Sequence, residues 1–361
     1  MGATALTGAE STLDVAADFD SMLAAAERAA ALHPGKVHLS HYVIADRLIS
    51  VRLVGDALGS RLTRAISHLR VADPDREPDL QIDMWDGAET GVSAPGCVPR
   101  GEAGSAGRTD VSPGGRFVLF EQARTRSVLD RTGKRIAGWV VAASQLSQYE
   151  LGRPWHSELL LWQHDCSLQP LHAGFIERDG IGVLLAGPGG SGKSTTSLSC
   201  MQEGWSYLAD DYVSVEQTGQ RIVGYGAYNS AHLDPAHLQR FPRLVPGAIH
   251  GKLAREDKSL VLASDLRNVR LAGKAELRVI AFPRVVDRPE SRWYPASKPE
   301  ALLRLAPSSL LLLPYVQLGH SAFKTMSDVV MRLPTCWLDV GRDLAQLPRA
   351  VADMVAEVVK R

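Results

Sequence analysis

The sequence predicts an α/β core over residues 151–361, preceded by a strand-rich α+β unit over residues 1–150. Three observations predict it. Strand-like and helix-like apolar periods alternate after Leu151. An eight-residue glycine-rich loop, Gly187-Pro188-Gly189-Gly190-Ser191-Gly192-Lys193-Ser194, sits between an apolar run and a helical pattern. Before residue 150, by contrast, most apolar residues alternate with polar ones, as on half-buried strands.

In the first unit, Val37–Ile44 and Leu48–Val54 flank the turn-like Ala45-Asp46-Arg47 and read as paired strands. Leu58–Leu69 carries apolar residues at helical spacing, and Leu80–Trp85 returns to strand character. Gly87–Gly115 is rich in Gly, Pro, Ser and Ala without an apolar period, which predicts a long surface loop. Phe117–Phe120, Arg126–Leu129 and Ile136–Ala142 resume the strand pattern. In the second unit, Trp155–Gln163 reads as an amphipathic helix, and Leu171–Ile176 and Gly182–Ala186 as strands. A helix from Ser194 to about Glu203 follows the loop, with Gly204 placed to end it. Trp205–Ala209, Val213–Glu216, Leu260–Leu262, Leu277–Phe282 and Cys336–Val340 complete the strands, and Pro348–Val359 is a terminal helix with proline in its first turn.

Composition narrows the function. Forty basic and forty acidic side chains cancel, so no global field attracts nucleic acid or an anionic membrane. The four cysteines, Cys97, Cys166, Cys200 and Cys336, are widely spaced, which fits a reducing compartment better than a disulfide framework or a zinc site. The longest apolar run, Ile136–Ala143, is too short to span a bilayer. Met1–Phe19 lacks the pattern of an export signal, so the expected location is the cytoplasm.

The loop satisfies GxxxxGK[ST]. Its glycines let the backbone curl until successive N–H groups face a polyphosphate, and the following helix adds the positive end of its dipole. Lys193 reaches the β- and γ-phosphate oxygens and Ser194 ligates Mg²⁺ in such a cradle. Gly187 to Thr195 is therefore expected to hold ATP. Asp210 and Asp211 follow only seventeen positions after Lys193. A right-handed strand–helix–strand unit through the loop would end both strands on one sheet edge, with the two aspartates beside the phosphates. There a carboxylate holds the metal or accepts the proton of an attacking hydroxyl, and mutual repulsion raises the pKa of one of them into a range suited to base work. The bland alternative is a solvated Asp-Asp turn. His172, fifteen residues before Gly187, reaches the same edge if its strand forms a hairpin with Gly182–Ala186; a lone histidine is more often structural.

Together, His172-Ala173-Gly174, Gly180-Ile181-Gly182-Val183-Leu184-Leu185, the loop and Leu208-Ala209-Asp210-Asp211 resemble the C-terminal kinase domain of the HPr kinase/phosphorylase family. That family shares a nucleotide fold with ATP-dependent phosphoenolpyruvate carboxykinase, and the resemblance covers roughly residues 150–361. It implies that Asp211 is the base, that Asp210 contacts the metal and that His172 orients or tunes one of them. Lys258, opening an apolar strand, is placed to reach the triphosphate, with an ordinary surface lysine as the alternative; Arg255 is a weaker candidate. Downstream of Asp211 the chain lacks the glycine-rich and arginine-containing segments with which the true regulator grips HPr. HPr itself and phosphorolysis are thereby put in doubt, and the first 150 residues do not resemble the regulator's N-terminal domain.

The expected activity is transfer of the ATP γ-phosphoryl group to a hydroxyl, with a serine of a peptide or protein as acceptor. A small hydroxylated metabolite is the alternative acceptor, and a non-catalytic ATP-binding regulator or chaperone is the alternative function. Carboxykinase chemistry lacks a carboxylate-binding signature. Residues 1–150 are expected to recognise the acceptor, or else to serve as a scaffold for a homo-oligomer.

Overall fold

The computed structural model describes residues 14–96, 107–251, 258–310 and 319–360. Arg255 and part of the expected Gly87–Gly115 loop lie outside them.

The first half builds an eight-stranded mixed sheet. Its strands are β1 (Val37–Ile44), β2 (Arg47–Val54), β3 (Arg70–Val71), β4 (Leu80–Asp86), β5 (Arg108–Val111), β6 (Phe117–Glu121), β7 (Thr125–Asp130) and β8 (Arg135–Val140), in the order β3-β1-β2-β4-β8-β7-β6-β5. Helix α1 (Val15–Leu32), which the sequence reading passed over, covers one face. Asp14 caps it, accepting from the amides of Ala16 and Ala17, and its stripe of Phe19, Met22 and Ala26 packs with Trp85, Leu119 and Trp139. The other face, with Val51, Ile82 and Ile136, belongs to a core that also takes in Leu159–Trp162, Tyr228 and Leu260. One hydrophobic core thus crosses residue 150.

Two expectations are corrected here. The helix expected over Leu58–Leu69 is α2 (Asp56–Leu62) followed by a 3₁₀ segment, Arg64–Leu69. Gly59 weakens the α-helix from within, and the Thr63 hydroxyl bonds back to the Gly59 carbonyl at 3.1 Å. The expected Gly87–Gly115 loop also carries structure in its described parts. Asp86 caps the short helix α3 (Gly87–Thr90), and β5 pairs with β6 in the register Arg108↔Glu121.

The second half is a mixed sheet flanked by helices. After α4 (Gln148–Gly152) and α5 (His156–Asp165), its strands are β9 (Gln169–Arg178), β10 (Ile181–Ala186), β11 (Ser206–Ala209), β12 (Tyr212–Thr218) and β13 (Arg221–Gly226). β16 (Arg270–Leu271), β17 (Lys274–Val285), β18 (Arg292–Pro295) and β19 (Thr335–Val340) follow, while β14 (Ser230–Leu233) and β15 (Ser259–Leu262) form a separate antiparallel pair. Helices α6 (Lys193–Gln202) and α10 (Leu347–Val358) cover one side of the sheet. On the other lie α8 (Lys298–Leu310) and α9 (Gly319–Arg332), and α7 (Pro235–Gln239) precedes β15.

Strands β9, β12, β13, β17 and β10 hydrogen-bond in a closed circuit. The buried Phe175 ring fills space that two glycines leave. A Cβ on Gly182 or Gly224 would approach that ring to 2.7 or 2.6 Å, distances no real side chain adopts. Gly224→Ala is therefore expected to cost about 1–3 kcal/mol of stability through overpacking. Gly224→Ala combined with Phe175→Leu should lose less than the two single losses added together, as measured by urea denaturation. Additive losses would show that ring and glycine are not in contact.

Candidate active site

β9 assembles the site. It runs antiparallel to β10 on one edge, with Ala186 opposite Ala173. Its other edge pairs with β11 and then with β12, with Ala209 opposite Phe175 and Tyr212 opposite His172. The expected strand–helix–strand unit exists, but its two parallel strands are not neighbours, because β9 lies between them. The C-terminal ends of β10 and β11 and the start of β9 therefore share one edge. Gly174 lets α6 close onto β9: a Cβ there would stand 2.8 Å from the Ser197 hydroxyl and 3.3 Å from the Asp210 carbonyl.

The loop between β10 and α6 depends on left-handed glycines. Gly187, Gly190 and Gly192 have φ of 145°, 76° and 106°, a region where a side chain is strained. Lys193 is the first residue of α6 and is 6% exposed. Its Nζ donates to the carbonyls of Gly187 and Pro188 at 2.8 and 3.2 Å. Burial lowers the proton affinity of this ammonium, against the opposing pull of Asp211 and Asp210. The Ser191 hydroxyl is buried without a partner, whereas the Thr195 hydroxyl is engaged by His237 Nε2 at 2.9 Å.

The two aspartates differ sharply. Asp210 is 3% exposed, and its Oδ1 has no partner. Burial and the neighbouring Asp211 charge push its carboxyl well above the usual range, to about 7, with nearby Ser194 and the Arg153 charge opposing. Asp211 is also penalised by burial, yet nearby His172 and the Arg153 charge hold it well below the usual carboxylate range. Arg153 Nη2 donates to Asp211 Oδ2 at 2.5 Å, and His172 Nε2 stands 3.6 Å from Oδ1. The same Nη2 donates to His232 Nδ1 at 3.0 Å, while His232 Nε2 donates to the Gln148 carbonyl at 3.2 Å. Burial and Arg153 lower the His232 pKa to about 4, which agrees with that neutral form.

Of the residues singled out in the sequence, the structure brings together the loop, Lys193, Ser194, Asp210, Asp211 and His172. Lys258, exposed at the start of β15, stays near enough for its charge to oppose that of Lys193, and it makes no ion pair among the described residues. Arg153, His232 and Tyr212 were not singled out. Arg153 sits between two short helices, and no spacing rule connects it to Asp211, fifty-eight residues away.

A magnesium ion fits the corner made by Ser194 and Asp210, where a buried carboxylate oxygen lacks a partner. Asp210 makes the fold pH-sensitive. Its folded pKa lies above the unfolded one, so the stability that its proton contributes is full below about pH 4 and is lost as pH rises toward about 7. Asp210→Asn, which cannot ionise, is expected to melt higher than wild type at pH 8, with the gain shrinking as pH falls toward 5. Equal melting temperatures at pH 8 would contradict the burial of this charge.

Comparison with known proteins bears on this edge. Residues 166–233 match the family model of the HPr Serine kinase C-terminal domain, and they contain His172, the loop and both aspartates. The HPr kinase/phosphorylase of Malacoplasma penetrans is 41% identical over 54 residues, 15% of this chain and 18% of that protein. That of Lacticaseibacillus casei is 41% identical over 64 residues, covering 18% and 20%. The chain thus spans about a fifth of the length of the curated relatives it matches. A solved Hpr(Ser) kinase/phosphatase from Coxiella burnetii superposes with a TM-score of 0.28 at 14% identity, covering 52% of this chain and 97% of that one. The resemblance to the HPr kinase/phosphorylase family holds over the segment that carries the site.

Proposed function

We propose that this protein is an ATP-dependent kinase that transfers the γ-phosphoryl group to a serine hydroxyl of a peptide or protein. The observation that carries this reading is the unlike pair of carboxylates beside Lys193. Asp210 is shut away against Ser194, while the Asp211 side chain is 25% exposed and kept ionised. A protein that only binds nucleotide has no need of a base beside the γ-phosphate.

The residues divide the work. The loop amides and the Lys193 ammonium hold the triphosphate, with Lys193 exchanging its loop carbonyls for phosphate oxygens. Ser194 and Asp210 would hold Mg²⁺, which when bound neutralises charge on the β- and γ-phosphates. Asp211 accepts the proton of the serine hydroxyl as its oxygen bonds to the γ-phosphorus and the ADP oxygen leaves. The raised pKa expected of the base falls on Asp210 instead; Asp211 is held weakly basic by His172 and Arg153, which a loose transition state tolerates because little charge has built on the attacking oxygen. His172 and Arg153 fix the carboxylate's orientation from two sides. The matched family model is that of a serine kinase domain, and that supports a protein acceptor over a free metabolite.

Lys193→Ala and Asp211→Asn are each expected to cut phosphoryl transfer by about a hundredfold or more. Asp211→Asn should leave MgATP affinity near wild type, whereas Lys193→Ala should weaken it. The assay follows label from γ-labelled ATP into acceptor in an extract of the source cells. Undiminished transfer by either variant refutes the assignment. His172→Ala should move the acid limb of the rate profile upward in pH, because it removes a group that holds Asp211 ionised. An unmoved profile with lower stability makes His172 structural.

A further inference from the structure

Two cavities flank α4, share Leu146 and open between the first sheet and the kinase half. One, of about 160 Å³, is lined by Tyr149, Glu150 and Arg153 from the α4–α5 region and by Phe120, Thr125 and Ser127 from the first sheet. The other, of about 210 Å³, is lined by Arg61, Arg124, Gln148 and His250, with Ser144 and Ser147 on its wall.

Two features of the second cavity find no partner among the described residues. The first is Gln148. This residue is 2% exposed, and both its side-chain oxygen and its side-chain nitrogen are buried without a hydrogen-bond partner. Burying an unsatisfied amide is costly, and no described residue supplies the donor and the acceptor that this wall lacks. A peptide bond carries one of each and matches a carboxamide. The second is the charge. Arg47, Arg52, Arg116, Arg126, Arg131 and Arg135 in this part of the chain all pair with carboxylates. Arg61 and Arg124 are half-buried, yet neither pairs with a carboxylate among the described residues. Arg124 donates only to the Gln145 carbonyl, at 2.8 Å. Two guanidiniums beside an empty-handed amide suit an extended peptide with an acidic side chain.

The cavity also connects to the chemistry. The Gln148 carbonyl accepts from His232, which in turn accepts from the Arg153 guanidinium that holds Asp211. A chain lying along α4 from Arg61 and Arg124 would reach the neighbouring cavity, whose wall includes that same Arg153.

We propose that the cleft along α4 binds an acidic peptide segment of the acceptor, with Gln148 pairing its backbone and Arg61 and Arg124 pairing its carboxylates. The proposal rests on the kinase reading, because it names that enzyme's acceptor class. The test uses the full chain with saturating MgATP, which keeps the phosphate loop from capturing acidic probes. Two fluorescent peptides, acetyl-Glu-Glu-Ser-Glu-Glu-amide and its counterpart with glutamine for each glutamate, are titrated by anisotropy. The acidic peptide is expected to bind at least about tenfold more tightly, with the difference shrinking as salt rises. Arg61→Gln with Arg124→Gln should abolish the preference, and Gln148→Leu should weaken both peptides alike. Arg124→Lys keeps the charge and should retain most of the preference. MgATP affinity, measured on every variant, reports an intact fold. Equal binding of the two peptides by wild type overturns the proposal, as does a preference that survives the double arginine change. Label transfer from γ-labelled ATP to the peptide serine is read separately: a bound acidic peptide that is never labelled leaves the cleft standing and counts against the kinase reading.

Discussion

Everything at the active edge depends on β9 being hydrogen-bonded along both of its sides at once. A ten-residue strand with β10 on one edge and β11 and β12 in line on the other cannot slip without breaking three ladders. Because side chains alternate, a slip of one residue would also turn His172 to the opposite face and drive Phe175 out of its glycine-lined space. The packing of Phe175 and the placing of His172 are thus a single constraint. Gly174 belongs to it as well, since any larger residue would push α6, and Lys193 with it, away from the aspartates.

That edge concentrates charges that would be unstable apart. Asp210 and Asp211 repel each other, and Lys193 is desolvated. Two outside groups settle the conflict in favour of an ionised Asp211: Arg153 from the α4–α5 junction and His172 from β9. Asp210 then keeps the proton, or exchanges it for a cation, because a second buried negative charge with an unpartnered oxygen is the costliest arrangement available. The difference between the two carboxylates follows from their neighbours. Nothing in the Asp-Asp dipeptide distinguishes them.

This explains what could be read from the sequence and what could not. The turn of the loop was legible because its glycines stand at fixed local spacing, and Gly187, Gly190 and Gly192 take the left-handed angles that such a turn needs. The aspartates were legible through the crossover rule, although β9 intervenes between the strands that the rule joins. Arg153 and Gln148 were not legible. They lie on helices of five residues or at their ends, where no period is long enough to read, and their partners come from distant parts of the chain. Helix α1 was missed for another reason. Its buried face is largely alanine, so an apolar stripe that packs tightly against Trp85 and Trp139 hardly stands out from its surroundings. The Gly87–Gly115 reading relied on composition, and it overlooked the capping aspartate just ahead of the segment.

The two halves of the chain are therefore harder to separate than their patterns suggest. The strands divide cleanly near residue 150, but the buried side chains do not, since Val51 and Ile82 share a core with Trp162, Tyr228 and Leu260. Polar links cross the same seam: Asn229 donates to the Arg64 carbonyl, and Arg47 pairs with Glu216. Removing the first sheet would expose apolar surface on α5, the helix that starts three residues after Arg153. Arg153 is the member of the active edge closest to that seam, and it bonds Asp211 directly. Any shift of the first sheet against α4 and α5 would thus be felt at Asp211 through one side chain. Discrete packed arrangements transmit such shifts better than a continuously deformable medium would. In this architecture the first sheet is a wall of the active site's surroundings, and its contribution has to be probed by point substitutions in the intact chain.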